Sequence, residues 1–510
     1  MLRLAVGVLV VTAAWAAERV LWTGDGPLHL GAPSADGRFL SGVEPSTGAL
    51  ILRDTATGTI RNVTGQTSST GEFAYFSVIS RDGEHVAYAW FNREGFYDLR
   101  VIPARGGEPH VLYANEEAGF VQPCAWSPDG KAILTLLFRA DNVSQIALIP
   151  TAGGTPRVLK TLNWVYPNKM DLSPDGKFVV YDNFSRDGAD ERDIFALAID
   201  GSRETRLVGG SSNDVFPAFQ PDGRAVVFLS DRNGKTGIWR QPFPLGVPRL
   251  LKTGVGRALA LGVTRDGVYH YARRSGGTEI FTVEVDWRAG RLKAEPHRVS
   301  GGTAGGNTMP AWSPDGRFLA WLNRVGTENF GQDSRAITIS DGGDARMLAP
   351  KLAHLNRLRW APDGGALLVD GADRHGRRGA FAIDLSSGEA VPVREPPSGA
   401  AHNEKVAFHE DEGLYVCDRK GGNRRLLATV RNGQIDTLDW FPDGAALLMG
   451  TTGGTRRLWR VGLEGGSPQP LKLGIDRTGP VSVNPADGRL AYTAGREWTE
   501  VRALQLPPDR

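Results

Sequence analysis

The sequence predicts an all-β protein of tandem four-stranded blades, about eleven repeats, arranged as two β-propellers. Three observations carry that expectation. A Ser-Pro-Asp-Gly phrase returns at a fixed period, and the runs flanking it are β-rich. The 65 glycines and 31 prolines in 510 residues supply the many tight turns such a chain needs.

The chain opens on Arg3, an apolar run from Leu4 to Ala13 and the small-x-small phrase Ala14-Trp15-Ala16. That layout predicts a cleavable signal peptide over residues 1–17. The apolar run is shorter than the ~20 residues that span a bilayer, so no transmembrane segment is expected. Export to the periplasm or out of the cell follows. No cysteine comes after the cleavage region to carry a lipid. Directly behind it, Glu18-Arg19-Val20-Leu21-Trp22-Thr23 reads as the fourth strand of a blade whose other strands lie elsewhere.

The repeat comes next. The turn phrase stands at Ser127-Pro128-Asp129-Gly130, Ser173-Pro174-Asp175-Gly176, Gln220-Pro221-Asp222-Gly223 and Ser313-Pro314-Asp315-Gly316. Its aspartates at 36, 82, 129, 175, 222, 266, 315 and 363 step by 46, 47, 46, 47, 44, 49 and 48. A period of ~40–50 residues is that of a propeller blade. Proline presets φ at the turn, aspartate caps it, and glycine takes the positive φ that closes the hairpin. The runs that follow, Phe178-Val179-Val180-Tyr181 and Ala225-Val226-Val227-Phe228, supply second strands. The tryptophan before the turn, at 126, 312, 360 and 440, is expected between adjacent blades.

Eleven units exceed an ordinary ring of 4–8 blades, which argues for two rings. The expected division is 18–302, about six blades, and 303–510, about five, with strand 18–23 completing the last blade. A partition of seven plus four fits the spacing as well. The eleventh unit lacks a fourth strand of its own, and closure by 18–23 would leave no edge unpaired.

At the Ser-Pro-Asp-Gly-Lys turns, and in the stretch from Pro221 to Gly234 with Ile238-Trp239 after it, the chain resembles the TolB-like, WD40-like propeller repeats. The resemblance covers nearly all of the chain behind residue 17. It implies the fold and no particular activity. Such repeats occur in periplasmic adaptors, sensor ectodomains, peptidase gating domains and some polysaccharide lyases. TolB carries an α/β domain ahead of its propeller, whereas these repeats begin close to the expected mature N-terminus, so a Tol-Pal role is not implied. Prolyl-oligopeptidase-like enzymes set a hydrolase beside a similar propeller, and the sequence contains no G-x-S-x-G nucleophile elbow.

Lysine plus arginine, 59, nearly balances aspartate plus glutamate, 57, which argues against a nucleic-acid partner. The two cysteines, Cys124 and Cys417, are expected as buried free thiols. Nine histidines are scattered with no H-x-x-x-H or H-E-x-x-H spacing. Rings gather ligands from several blades, so His402 and His409, beside Glu410, Asp411 and Glu412, form the densest candidate metal cluster. The acidic loop holding Asp187 and Asp190 offers oxygen ligands of the kind calcium takes. A solvated turn accounts for both equally well. No cofactor is expected beyond such a divalent metal, and no catalytic residue is recognisable.

The function expected is an exported, non-enzymatic binding or scaffolding module that meets a protein or glycan ligand on a propeller face. The alternative is a carbohydrate-active lyase or hydrolase whose site is assembled from several blades in a propeller channel.

Overall fold

A computed structural model describes residues 18–507 apart from 26–29, 45–46, 66–71, 116–117, 142, 187–188, 190, 300–305, 325–334, 374, 394–398, 403, 411, 431–434 and 452–455. The expected signal peptide, Asp187, Asp190 and the cut at 302/303 lie outside the described residues.

The fold is all-β, built of propeller blades, and no helix occurs among the described residues. Eight sheets are four-stranded meanders in which sequence neighbours pair. A ninth keeps three strands, from Phe39–Val43 to Ile60–Asn62, and gains an inner bridge from Pro33 to Leu40. Burial falls outward along a blade. The second strand Ala225–Ser230 is wholly buried, while the outermost Arg249–Thr253 is largely exposed. Neighbouring blades cover both faces of the middle strands, which is why those strands read as continuous apolar runs rather than alternating ones.

The recurring turn has a local cause. Ser127 Oγ donates to Asp129 Oδ1 at 2.6 Å and accepts the Ala132 amide at 2.9 Å, while Gly130 takes φ +70. Ser34, Ser173 and Ser313 repeat the serine–aspartate bond at the same 2.6 Å. The serine hydroxyl beside each carboxyl holds Asp36, Asp129, Asp175 and Asp315 below the ordinary aspartate range. Three tryptophans clip blade to blade. Trp126 Nε1 donates to Val78 O at 3.1 Å, Trp360 Nε1 to Ala311 O at 2.9 Å and Trp440 Nε1 to Ala400 O at 2.8 Å.

Two rings result. In the first, six blades follow one another, and Leu40 of the first packs with Leu261 and Val501 of the sixth. In the second, five blades close where Leu319 and Trp321 of its first meet Ile280 and Ala491 of its last. One sheet supplies the last blade of both. The 16-residue strands Val268–Val283 and Leu490–Gln505 pair without a break from Val268↔Gln505 to Val283↔Leu490. At one end they are flanked by Arg257–Val263 and by Glu18–Asp25. At the other they are flanked by His297–Arg298 and by Val481–Val483. Where the pair passes between rings the backbones crowd. A Cβ on Gly495, at φ +130, would stand 2.2 Å from Gly277 O, so only glycine fits there.

Candidate functional site

The repeat register shows which blade of the six-bladed ring is unlike the others. Counted back from the first residue of the Asp-Gly turn, the second position holds Ala32, Val78, Ala125, Asp171, Ala218 and Gly262. The fourth holds Leu30, Phe76, Pro123, Lys169, Phe216 and Ala260. Five blades bring no charge to the inner strand at these places. The fourth brings an ammonium and a carboxylate.

Both line a cavity of about 260 Å³ at the turn end of the ring, to which all six blades contribute. Lys169 Nζ crosses to the sixth blade and donates to Leu261 O at 2.9 Å. Asp171 accepts the Leu172 amide at 2.9 Å through Oδ1 and the Phe219 amide of the next blade at 2.8 Å through Oδ2. The ring walls surround both groups, yet by accessible area they are half-buried. Burial pulls the Lys169 ammonium down, with Asp171, Cys124 and Asp182 opposing it. It pushes the Asp171 carboxyl up, with Lys169 opposing. Cys124, a free and half-buried thiol in the same wall, is pushed up to about 12 by burial.

The lysine is held in place from behind. Asp182 Oδ1 accepts the Lys169 amide at 3.0 Å, and Oδ2 accepts Asn168 Nδ2 at 2.8 Å. Arg192 Nη1 closes a fully enclosed ion pair with the same Oδ2 at 3.0 Å, with side-chain exposures of 3% and 0%. At the rim Arg81 and Arg265 stand exposed. The mouth therefore carries three cationic side chains against one carboxylate whose oxygens already hold backbone amides. Such a site attracts an anion, and an anion arriving beside Lys169 offsets the burial penalty on its charge.

The second ring repeats the carboxylate without the lysine. Asp439, in the register of Asp171, accepts the Trp440 amide at 2.8 Å and the Val483 amide of the next blade at 2.8 Å. Burial pushes it up to about 6. Asp171 thus shares an inter-blade tie with Asp439, and Lys169 is the group specific to the six-bladed mouth.

The two candidate histidines fall elsewhere. His402 ends the strand Gly399–His402 and stacks on Trp440 with ring centroids 5.4 Å apart. His409 lies on Lys405–Glu410, four residues beyond Lys405, the pairing partner of His402. At ~3.3 Å per residue that is roughly 13 Å along the strand, too far to share an ion. Glu410 pairs with Arg424. No group of three or more potential metal ligands occurs among the described residues. Sequence reasoning passed over Lys169 and Asp171. The usable signal was their charge at two repeat positions where the other five blades have none.

No family model matches the chain. Among curated relatives, dipeptidyl-peptidase 5 of Porphyromonas gingivalis is 31% identical over 345 residues, 60% of this chain and 48% of that protein. The peptidase YuxL of Bacillus subtilis is 30% identical over 139 residues, 26% of this chain and 18% of that protein. The chain thus spans less than half the length of either. Among solved structures, TolB of Acinetobacter baumannii is similar at 18% identity, covering 63% of this chain and 78% of that one with a TM-score of 0.32.

Proposed function

We propose that this chain is an exported, non-enzymatic binding module, and that the mouth of the six-bladed ring receives a carboxylate-bearing, extended segment of a protein partner. The observation that carries this is the placement of Lys169, with Arg81 and Arg265 around it, in a cavity whose lining includes the small apolar residues Ala32, Val78, Ala125 and Gly262 and the aromatics Trp126 and Phe219. A rigid ring presents these groups with little ordering cost on binding.

The test is fluorescence anisotropy with a labelled oligo-glutamate peptide and a Gly-Ser peptide of equal length. Salt-dependent binding of the acidic peptide, weakened about tenfold in Lys169→Met, is the expected result. Equal binding of both peptides, or no effect of Lys169→Met, would overturn the reading.

The peptidase names of the two relatives motivate a second reading, in which this propeller works beside a peptidase activity. Release of product from dipeptidyl substrates by the purified chain would favour it over the first.

A further inference from the structure

A second cavity, of about 360 Å³, lies at the seam of the five-bladed ring, between its first blade and the blade made by the two long shared strands. It is separate from the six-bladed mouth, and nothing in the reading above bears on it.

The seam is built differently from the three blade junctions that a tryptophan of the same register clips. Trp126, Trp360 and Trp440 each donate an indole N–H to the preceding blade. Trp312 stands in the same register and lines the cavity, but its Nε1–H is sealed from water with no acceptor among the described residues. Its backbone amide alone crosses, to Ser482 Oγ at 3.1 Å. At this junction Trp312 borders a cavity instead of clipping the preceding blade.

The lining has a definite chemistry. Arg489 sets its guanidinium 5.1 Å over the Trp312 ring, and Arg317 sits 5.4 Å over Phe318, so both are oriented by aromatic faces at the rim. Among the described residues the one acidic lining residue is Asp341, whose Oδ1 accepts the amides of Gly343 and Asp344 at 3.0 and 3.2 Å. Deeper in, Asn323 is 6% exposed. Its Oδ1 accepts the Thr338 hydroxyl at 3.0 Å, and its amide N–H meets the soft Met347 sulfur at 3.5 Å. Thr282 and Ser340 add hydroxyls on the two walls. A cationic ligand would face two lining guanidiniums, of which Arg489 also holds Asp487 Oδ2 through Nε at 2.7 Å, and one committed lining carboxylate. An apolar one would cover hydroxyls and a carboxamide without replacing their hydrogen bonds with water. The volume falls within the ~300–1,000 Å³ of small-molecule sites.

We propose that the seam cavity binds a small hydroxylated organic carboxylate. Its carboxylate meets Arg317 and Arg489, and its hydroxyl groups meet Asn323, Thr338 and Ser340. Planar guanidinium forks suit a carboxylate, and the polar wall sorts hydroxylated acids from plain ones.

The experiment is isothermal titration of the intact chain with gluconate, glucuronate and citrate, with glucose and acetate as controls. Saturable one-to-one binding of at least one hydroxylated acid is expected, with glucose and acetate inert. Arg317→Glu reverses a rim charge, and Ala345→Trp fills the cavity from an exposed lining position. Each should weaken binding by at least about tenfold at an unchanged melting temperature. Three results would overturn the proposal: none of the acids binds, glucose binds as well as glucuronate, or binding persists in both variants. Loss of acid binding in Lys169→Met alone would also overturn it, by moving the site to the six-bladed mouth. If Arg317→Glu does not fold, Arg317→Gln and Ala345→Trp give the same discrimination.

Discussion

The carboxylate of Asp439, half-buried between blades, accepts the backbone N–H of Val483, in the next blade, at 2.8 Å. Burial lifts this group from 3.8 to about 6, with the amides of Val483 and Trp440 and the Ser482 hydroxyl pulling the other way. Between about pH 4 and 6 the folded chain therefore keeps a proton that the unfolded chain has released. Its contribution is full below the unfolded value and is lost as pH rises toward 6. A shift of this size corresponds to roughly 3 kcal/mol. Asp439→Asn keeps one oxygen for Val483 and removes the titration. Urea midpoints at pH 4, 5, 6 and 7 should show this falling component in the native chain and not in the variant. Parallel pH curves would show that the carboxyl titrates normally.

Glu18 has the opposite sign. Burial works to raise its pKa but is outweighed by the Tyr271 hydroxyl and by Lys252 and Arg502, with Lys252 Nζ at 3.2 Å and Arg502 Nη1 at 3.1 Å, so the carboxyl sits below its ordinary 4.5. Its contribution is present above pH 4.5 and is lost as pH falls through the lowered value. The residue begins the strand Glu18–Asp25 that covers the edge of the six-bladed ring's last blade. Glu18→Gln should lower the urea midpoint at pH 6 and converge with the native chain as pH falls through the lowered value. A constant offset at all pH values would assign the loss to packing instead.

The tryptophans at one register separate a clip from a bystander. Trp126→Phe deprives Val78 O of a bond made at 3.1 Å, while Trp312→Phe deletes an indole N–H that has no acceptor among the described residues. Both changes remove similar ring volume. The first should therefore cost at least about 1 kcal/mol more than the second, because an orphaned buried donor carries its own penalty of about 1–3 kcal/mol. Denaturant midpoints of the two variants decide it, and equal losses would mean the clip contributes nothing.

The blades were legible in the sequence because their cause is local. The Ser127–Asp129 bond and the φ of Gly130 are set within four residues, and that geometry recurs wherever the phrase does. The six-bladed mouth was not legible in that way. Lys169 meets Leu261 across 92 residues and Asp171 meets Phe219 across 48, and neither distance is visible to a turn motif. His402 and His409 misled for the converse reason. They are near in sequence, but an extended strand carries them to opposite ends of one hairpin. The seam cavity depends on which blades become neighbours when the ring closes, and that is fixed by Val268–Val283 and Leu490–Gln505 pairing across more than two hundred residues of chain.

Asp182 ties stability to the proposed binding site. Its Oδ2 holds Arg192 Nη1 at 3.0 Å, where the arginine is 3% exposed, and its Oδ1 holds the Lys169 amide at 3.0 Å. Asp182→Ala leaves a guanidinium enclosed without its counter-charge, which costs about 3–5 kcal/mol. Asp182→Leu combined with Arg192→Met removes both charges at similar volume and should recover most of that stability. The double variant still lacks the acceptor that fixes the Lys169 backbone. If Lys169 is the anion-binding group, the repaired protein melts near the native temperature yet binds the oligo-glutamate peptide more weakly. Melting and anisotropy on the three proteins separate the two roles. Full recovery of both stability and affinity would show that Asp182 serves the core and not the mouth.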